Sequence, residues 1–159
     1  MLRVVRGSMA ALALIVSLAA CSSSGNPTPG YLHPAIDRFL QQGYRCTGPA
    51  AGQSADLQWQ CSRISPDGVE THVLIDADAT AIRSVTATID QSAAHATSAD
   101  AVAAFFDQVT DIDLGGANAK VKDWVRASLT NGGHVQIDRV LITLGRLRPV
   151  DDLALFVLD

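Results

Sequence analysis

Apolar residues recur along this chain at two alternating periods, and the period changes at breaks rich in glycine, proline and small polar residues. Pro34 suits the first turn of a helix, Ile36, Phe39 and Leu40 fall on one face, and Gly43 stands where a C-terminal cap belongs. The period then drops to two. Tyr44–Thr47 reads as a short strand, and Gly48-Pro49-Ala50-Ala51-Gly52 as a loop. Leu57, Trp59 and Cys61 alternate with Gln58, Gln60 and Ser62, the pattern of a half-buried strand. Pro66-Asp67-Gly68 predicts a turn, Val69–Ile75 a strand, Asp76–Thr80 another turn, and Ile82–Ile89 a strand with Val85, Ala87 and Ile89 on one side. Four consecutive strands joined by short turns predict an antiparallel meander.

A small, polar stretch over 91–97 ends the strands, and the helical period returns. Ser98 is a good N-cap for a helix whose apolar residues Val102, Phe105, Phe106 and Val109 share one face. Gly115-Gly116 breaks it, and a second helix carries Val121, Trp124, Val125 and Leu129 to a stop at Asn131-Gly132-Gly133. Two strands follow, Val135–Leu144 and Leu153–Leu158. In the first, the apolar positions change phase between Ile137 and Val140, which reads as a β-bulge. The order α-β-β-β-β-α-α-β-β predicts the α+β class: an antiparallel meander sheet of about six strands with helices packed on one face.

The N-terminal residues follow neither period. Arg3 and Arg6 precede Met9–Ala20, an apolar run interrupted only by Ser17. It is shorter than the roughly 20 residues a membrane-spanning helix needs, and has the form of a signal-peptide core. It closes on Leu18-Ala19-Ala20-Cys21, followed by the polar Ser22-Ser23-Ser24-Gly25-Asn26-Pro27-Thr28-Pro29-Gly30. Leu18, Ala19, Ala20 and Cys21 resemble the lipobox of bacterial lipoproteins. The resemblance covers residues 1–21 and implies that the Cys21 thiol carries a diacylglyceryl thioether, the group that palmitate labelling detects, and that residues 1–20 are removed. It further implies an exported protein held through the lipid on Cys21 to the outer face of the bacterial cell membrane or to the cell envelope. The predicted organisation is a signal peptide over 1–20, a lipidated cysteine and flexible tether over 21–30, and a single α+β domain over 31–159.

Composition sharpens this picture in three ways. Losing Arg3 and Arg6 with the signal takes the formal charge from −4 to −6, so neither nucleic acid nor an anionic lipid surface is an expected electrostatic partner. Three cysteines are too few for a disulfide scaffold. With Cys21 lipidated and the domain exported, Cys46 and Cys61 remain as a pair in an oxidising compartment, where a structural disulfide is expected. A closed loop of about 15 residues is worth about 3 kcal/mol in the chain-entropy view.

A search for catalytic spacing finds no His-Glu-x-x-His, Gly-x-Ser-x-Gly, Walker or Gly-x-Gly-x-x-Gly pattern. His33, His72, His95 and His134 fall in different elements, without the short-range pairing of zinc ligands. Asp76-Ala77-Asp78 and Asp111-Ile112-Asp113 lack the remaining ligands of a calcium loop, and read as turn and helix-end aspartates. Glu70 is the single glutamate and shares a polar strand face with His72. Arg139, Arg146 and Arg148 read either as a small basic patch or, more simply, as solvated arginines. Trp59 and Trp124 fall on predicted buried faces. No catalytic residue, metal ligand, cofactor or ligand-binding residue is predicted. The expectation is a lipid-anchored envelope lipoprotein whose small non-catalytic domain binds a protein or polymer partner. A carrier of an apolar small molecule or lipid, which a dry cavity above about 300 Å³ between helices and sheet would favour, and an envelope hydrolase with a site not visible in sequence are the alternatives.

Overall fold

The computed structural model describes residues 32–51, 57–78, 80–92, 98–114, 116–147 and 150–158. Its elements are α1 (His33–Gln41), β1 (Arg45–Ala51), β2 (Leu57–Ile64), β3 (Glu70–Ala77), β4 (Ile82–Asp90), α2 (Ala99–Thr110), α3 (Asn118–Ser128), β5 (Gly133–Ile137), β6 (Val140–Leu147) and β7 (Val150–Val157). The strands form one antiparallel sheet in the order β1-β2-β3-β4-β7-β6-β5. Two meanders therefore meet at β4 and β7, and β1 and β5 form the edges. The lipobox-like Leu18–Cys21, the tether expected over 21–30, His95 and Arg148 lie outside the described residues.

The α+β class and the first meander follow the expectation, but the sheet has seven strands rather than about six. The difference lies in the segment read as one bulged strand, Val135–Leu144. It is a tight hairpin, with Ile137 paired to Val140 across Asp138 and Arg139. Asp138 has φ 52°, the left-handed backbone that primed hairpin turns need and that an aspartate tolerates better than most residues. The phase change was the turn itself. A second difference is β1, which runs through the expected loop to Ala51 with a register shift between Thr47 and Ala50. Pro49 sits in that irregular stretch of an edge strand, where its missing N–H removes no ladder bond from a central strand.

Strand alternation builds the core. Trp59, Ile75, Val85, Leu155 and Ile142 stand side by side and are all buried. Cys61, Val73, Ala87, Leu153 and Leu144 form the next buried row. The helices supply the other half of the same core, through Phe39 from α1, Val102, Phe105, Phe106 and Val109 from α2, and Val121 and Val125 from α3. All three helices thus lie on one side of the sheet. Leu40 departs from its predicted face and is 49% exposed, while Phe39 packs edge-on against Tyr44. Gly43, at φ 82°, makes the turn that brings Tyr44 back to donate to the Phe39 carbonyl.

Side chains fix both ends of α2. Ser98 Oγ accepts from the Ala101 N–H at 3.2 Å, as its N-cap reading requires. Asn118 ties α2 to α3, with Nδ2 donating to the carbonyls of Thr110 and Ile112. On the outside of the helix pair, Arg126 bridges to Asp107 and Lys122 to Asp111. The guanidinium of Arg126 is held more basic than usual, chiefly by its hydrogen bonds to Asp107.

Candidate functional site

Alternation that buries every second strand residue leaves the others on the far side of the sheet. Register carries them across all seven strands: Thr47, Gln60, Leu74, Thr86, Ala154, Thr143 and His134 stand in one row. Ser62, His72, Thr88, Asp152 and Gly145 flank it on one side. Gln58, Asp76, Ser84, Phe156, Leu141 and Gln136 flank it on the other. None of these residues is buried, and Phe156 is 42% exposed. The helices occupy the opposite side, so this face is uncovered by any described element.

The central row of the face carries no acidic or basic side chain from Thr47 to Thr143. Thr86, Thr88 and Thr143 offer hydroxyls, and Leu74, Ala154 and Phe156 offer apolar surface. Several of its charges are engaged locally. Asp76 accepts from Gln58 Nε2 at 2.9 Å and from Ser84 Oγ at 2.8 Å. His72 Nε2 lies 2.9 Å from Glu70 Oε1. The Asp152 carboxylate, by contrast, stands beside the bare backbone of Gly145, where a Cβ would run into it. Asp90, at the end of β4, has its carboxyl held below the usual range, first by the Ser92 hydroxyl and then by the Ser92 N–H. Such a surface makes hydrogen bonds and apolar contact rather than attracting a partner by charge.

A cleft of about 650 Å³ lies at one end of the sheet, where the β3–β4 and β5–β6 turns meet the α2–α3 connection. Ile82, Leu114, Ala117, Val140 and Val157 give it an apolar floor. Its rim charges are partnered: Arg83 with Asp78 at 2.6 Å, Asp138 with Lys120 at 2.9 Å, and Arg139 Nε with the Leu158 carbonyl at 2.9 Å. The Asp78 carboxyl is held far below its usual range, first by the Thr80 hydroxyl, then by the backbone N–H groups of Thr80 and Ala81, with Arg83 adding to them. This is the turn chemistry expected of an aspartate at that position.

The residues singled out in the sequence fall as follows. Cys46 and Cys61 face one another across β1 and β2 and form a disulfide, with Cα atoms 4.0 Å apart. Arg139 and Arg146 stand at opposite ends of β6 and form no patch. His134 is exposed on β5, and His33 opens α1. Ser62 stands opposite His72 in register, and the His72 ring meets Glu70. Trp59 is buried as expected, whereas Trp124 is only half-buried. Among the described residues no group of three or more metal-ligating side chains gathers, and no helix is long and apolar enough to cross a membrane.

Asp151 was not anticipated. It is wholly buried on the helix-facing side of β7, paired to Arg146 at 3.1 Å and accepting from Gln91 Nε2 at 3.0 Å. The signal was its phase: Asp151, Leu153 and Leu155 alternate on one side, and beginning the strand at Leu153 hid it. Fold and surface together define a small α+β domain with a one-sided antiparallel sheet. The chain matches no protein-family model, no curated protein and no solved structure.

Proposed function

We propose that this chain is a lipoprotein of the cell envelope, held by a lipid on Cys21, whose domain binds a protein or polymer partner through the uncovered face of its sheet. The observation that carries this reading is the row from Thr47 to His134, which crosses the whole sheet with no buried member. Interface centres are depleted in charge and rich in contact area, and the central row of this face has that character. The apolar run and lipobox-like Leu18–Cys21 support export and anchoring, and the Cys46–Cys61 disulfide is in keeping with an oxidising compartment. The test is a photoreactive amino acid placed at Thr86 in the native envelope, compared with the same group at Asp123 on the outside of α3. The reading expects a discrete adduct from Thr86 and none from Asp123. Equal adducts at both positions, or an adduct from Asp123 alone, would overturn it.

The cleft at the sheet end favours a second reading, a carrier of a small apolar molecule, because its floor is apolar and its volume of about 650 Å³ suits such a ligand. Saturable quenching of a fluorescent fatty acid, lost in Ala117→Trp, would support it. Unchanged fluorescence at micromolar protein would exclude that ligand class.

A further inference from the structure

The two edges of the sheet are treated differently. Edge strands expose unpaired backbone groups, and proteins usually blunt them with proline, charge or a bulge. β1 has such devices: Pro49, the register shift between Thr47 and Ala50, and the disulfide to Cys61. β5 has none of them. Gly133-His134-Val135-Gln136-Ile137 contains no proline and no formal charge with His134 neutral, and pairs in unbroken register with β6 alone among the described residues.

The hairpin fixes which groups are free. Across a two-residue turn the closing pair Ile137–Val140 is hydrogen-bonded, and so are the alternate pairs Val135–Ile142 and Gly133–Leu144. The N–H and C=O groups of His134 and Gln136 therefore point away from β6. Beside this edge, Val135, Ile137, Trp124 and Leu129 are apolar side chains only half withdrawn from solvent.

We propose that a second copy of this chain adds to β5, antiparallel, across a two-fold axis through Val135. In that register His134 of each copy faces Gln136 of the other, and the two residues exchange both backbone hydrogen bonds. Val135 meets its own counterpart at the axis in a non-hydrogen-bonded pair. Ile137 of each copy comes opposite Gly133 of the other. Trp124 Cζ2 lies 3.8 Å from where a Gly133 Cβ would stand, so the missing side chain leaves a gap beside the indole that an isoleucine fills. The pairing sets apolar residues against apolar ones on the helix-facing side and polar against polar on the other, with no like charges opposed within the strand. A closed, self-complementary pairing also ends further growth at this edge.

The test uses the full-length protein extracted in detergent. Sedimentation equilibrium should give a dimer, and Val135→Lys, which opposes two ammonium groups at the axis, should raise the dimer dissociation constant at least tenfold with an unchanged circular dichroism spectrum. Because a variant can also lose its fold, the second measurement is Val135→Cys under mild oxidation in native membranes. It should give a disulfide-linked dimer in clear excess over Asp123→Cys. A monomeric wild-type protein, a Val135→Lys variant as dimeric as wild type, or equal cross-linking from the two cysteines would overturn the proposal. Cross-linking of Val135→Cys to a different protein instead of itself would overturn it too.

Discussion

Arg146 Nη1 lies 3.1 Å from Asp151 Oδ2, and the carboxylate it meets has no exposed surface. The two residues face each other across β6 and β7, in the same row as Thr71 and Ile89. Gln91 donates to the same Oδ2, while Oδ1 has no partner among the described residues. A buried pair of this kind is a weak source of net stability, because both charges have left water. Removing one member strands the other.

Asp151→Ala should therefore destabilise the domain by about 3–5 kcal/mol, read as a fall in the urea midpoint. Replacing both members, as Asp151→Leu with Arg146→Met, should cost much less than Asp151→Ala alone. A loss under about 1 kcal/mol for Asp151→Ala would show that the pair is solvated and that its burial does not govern its energetics.

Cys46 and Cys61 sit directly opposite in register, so the disulfide closes the first hairpin at the sheet edge. The Cys46→Ala/Cys61→Ala double variant should lose about 2–4 kcal/mol, a fall of roughly 10 °C in Tm for a domain this size. Reductant should lower the wild-type Tm comparably and leave the double variant unmoved. Equal Tm values would mean that the strand pairing alone holds this edge.

Gly48 has φ 138°, and a Cβ there would lie 2.7 Å from the Gln58 carbonyl oxygen and 2.9 Å from Trp59 Cδ1. Both the backbone conformation and the contact with a buried indole require glycine. Gly48→Ala should cost about 1–3 kcal/mol. The indole fluorescence of the folded protein should shift as Trp59 is displaced. A variant as stable as wild type would show that β1 adapts freely at its irregular stretch.

Asp78 gives a pH dependence of defined sign. Its carboxyl is lowered from the ordinary 3.8, so the folded state binds its proton less readily than the unfolded chain. The stabilisation is fully present above that ordinary value and is lost as pH falls through the lowered one. The difference in stability between wild type and Asp78→Ala should be flat from pH 5 to 7, and shrink as the solution is acidified below about 4. A difference that grows on acidification would contradict the arrangement of donors around this turn.

Much of this architecture is legible in the chain because one-sided burial writes itself as alternation. Thr71, Val73, Ile75 and Ala77 are buried in β3 while their neighbours are not, and the α2 face from Val102 to Val109 follows its helical spacing. The turn at Asp138–Arg139 was hidden because neither residue is a glycine or asparagine, so a hairpin looked like a bulge. β1 runs past its expected end because Gly48-Pro49, a loop signal in most settings, is tolerated in an edge strand. The candidate face was harder to read. Its residues are the outward members of strands distant in sequence, and only the pairing of β4 with β7 brings Thr86 beside Ala154. Asp151 escaped because an aspartate suggests a turn, although its phase with Leu153 points inward.

A lipid on Cys21 is what the proposed anchoring and display at the envelope require. Intact-mass measurement of the protein extracted from membranes of its native host tests this directly. It should show a chain beginning at Cys21, with the added mass of a diacylglyceryl group that Cys21→Ala abolishes, together with palmitate labelling. A chain that retains residues 1–20, or one that begins elsewhere with the Cys21 thiol free, would contradict it.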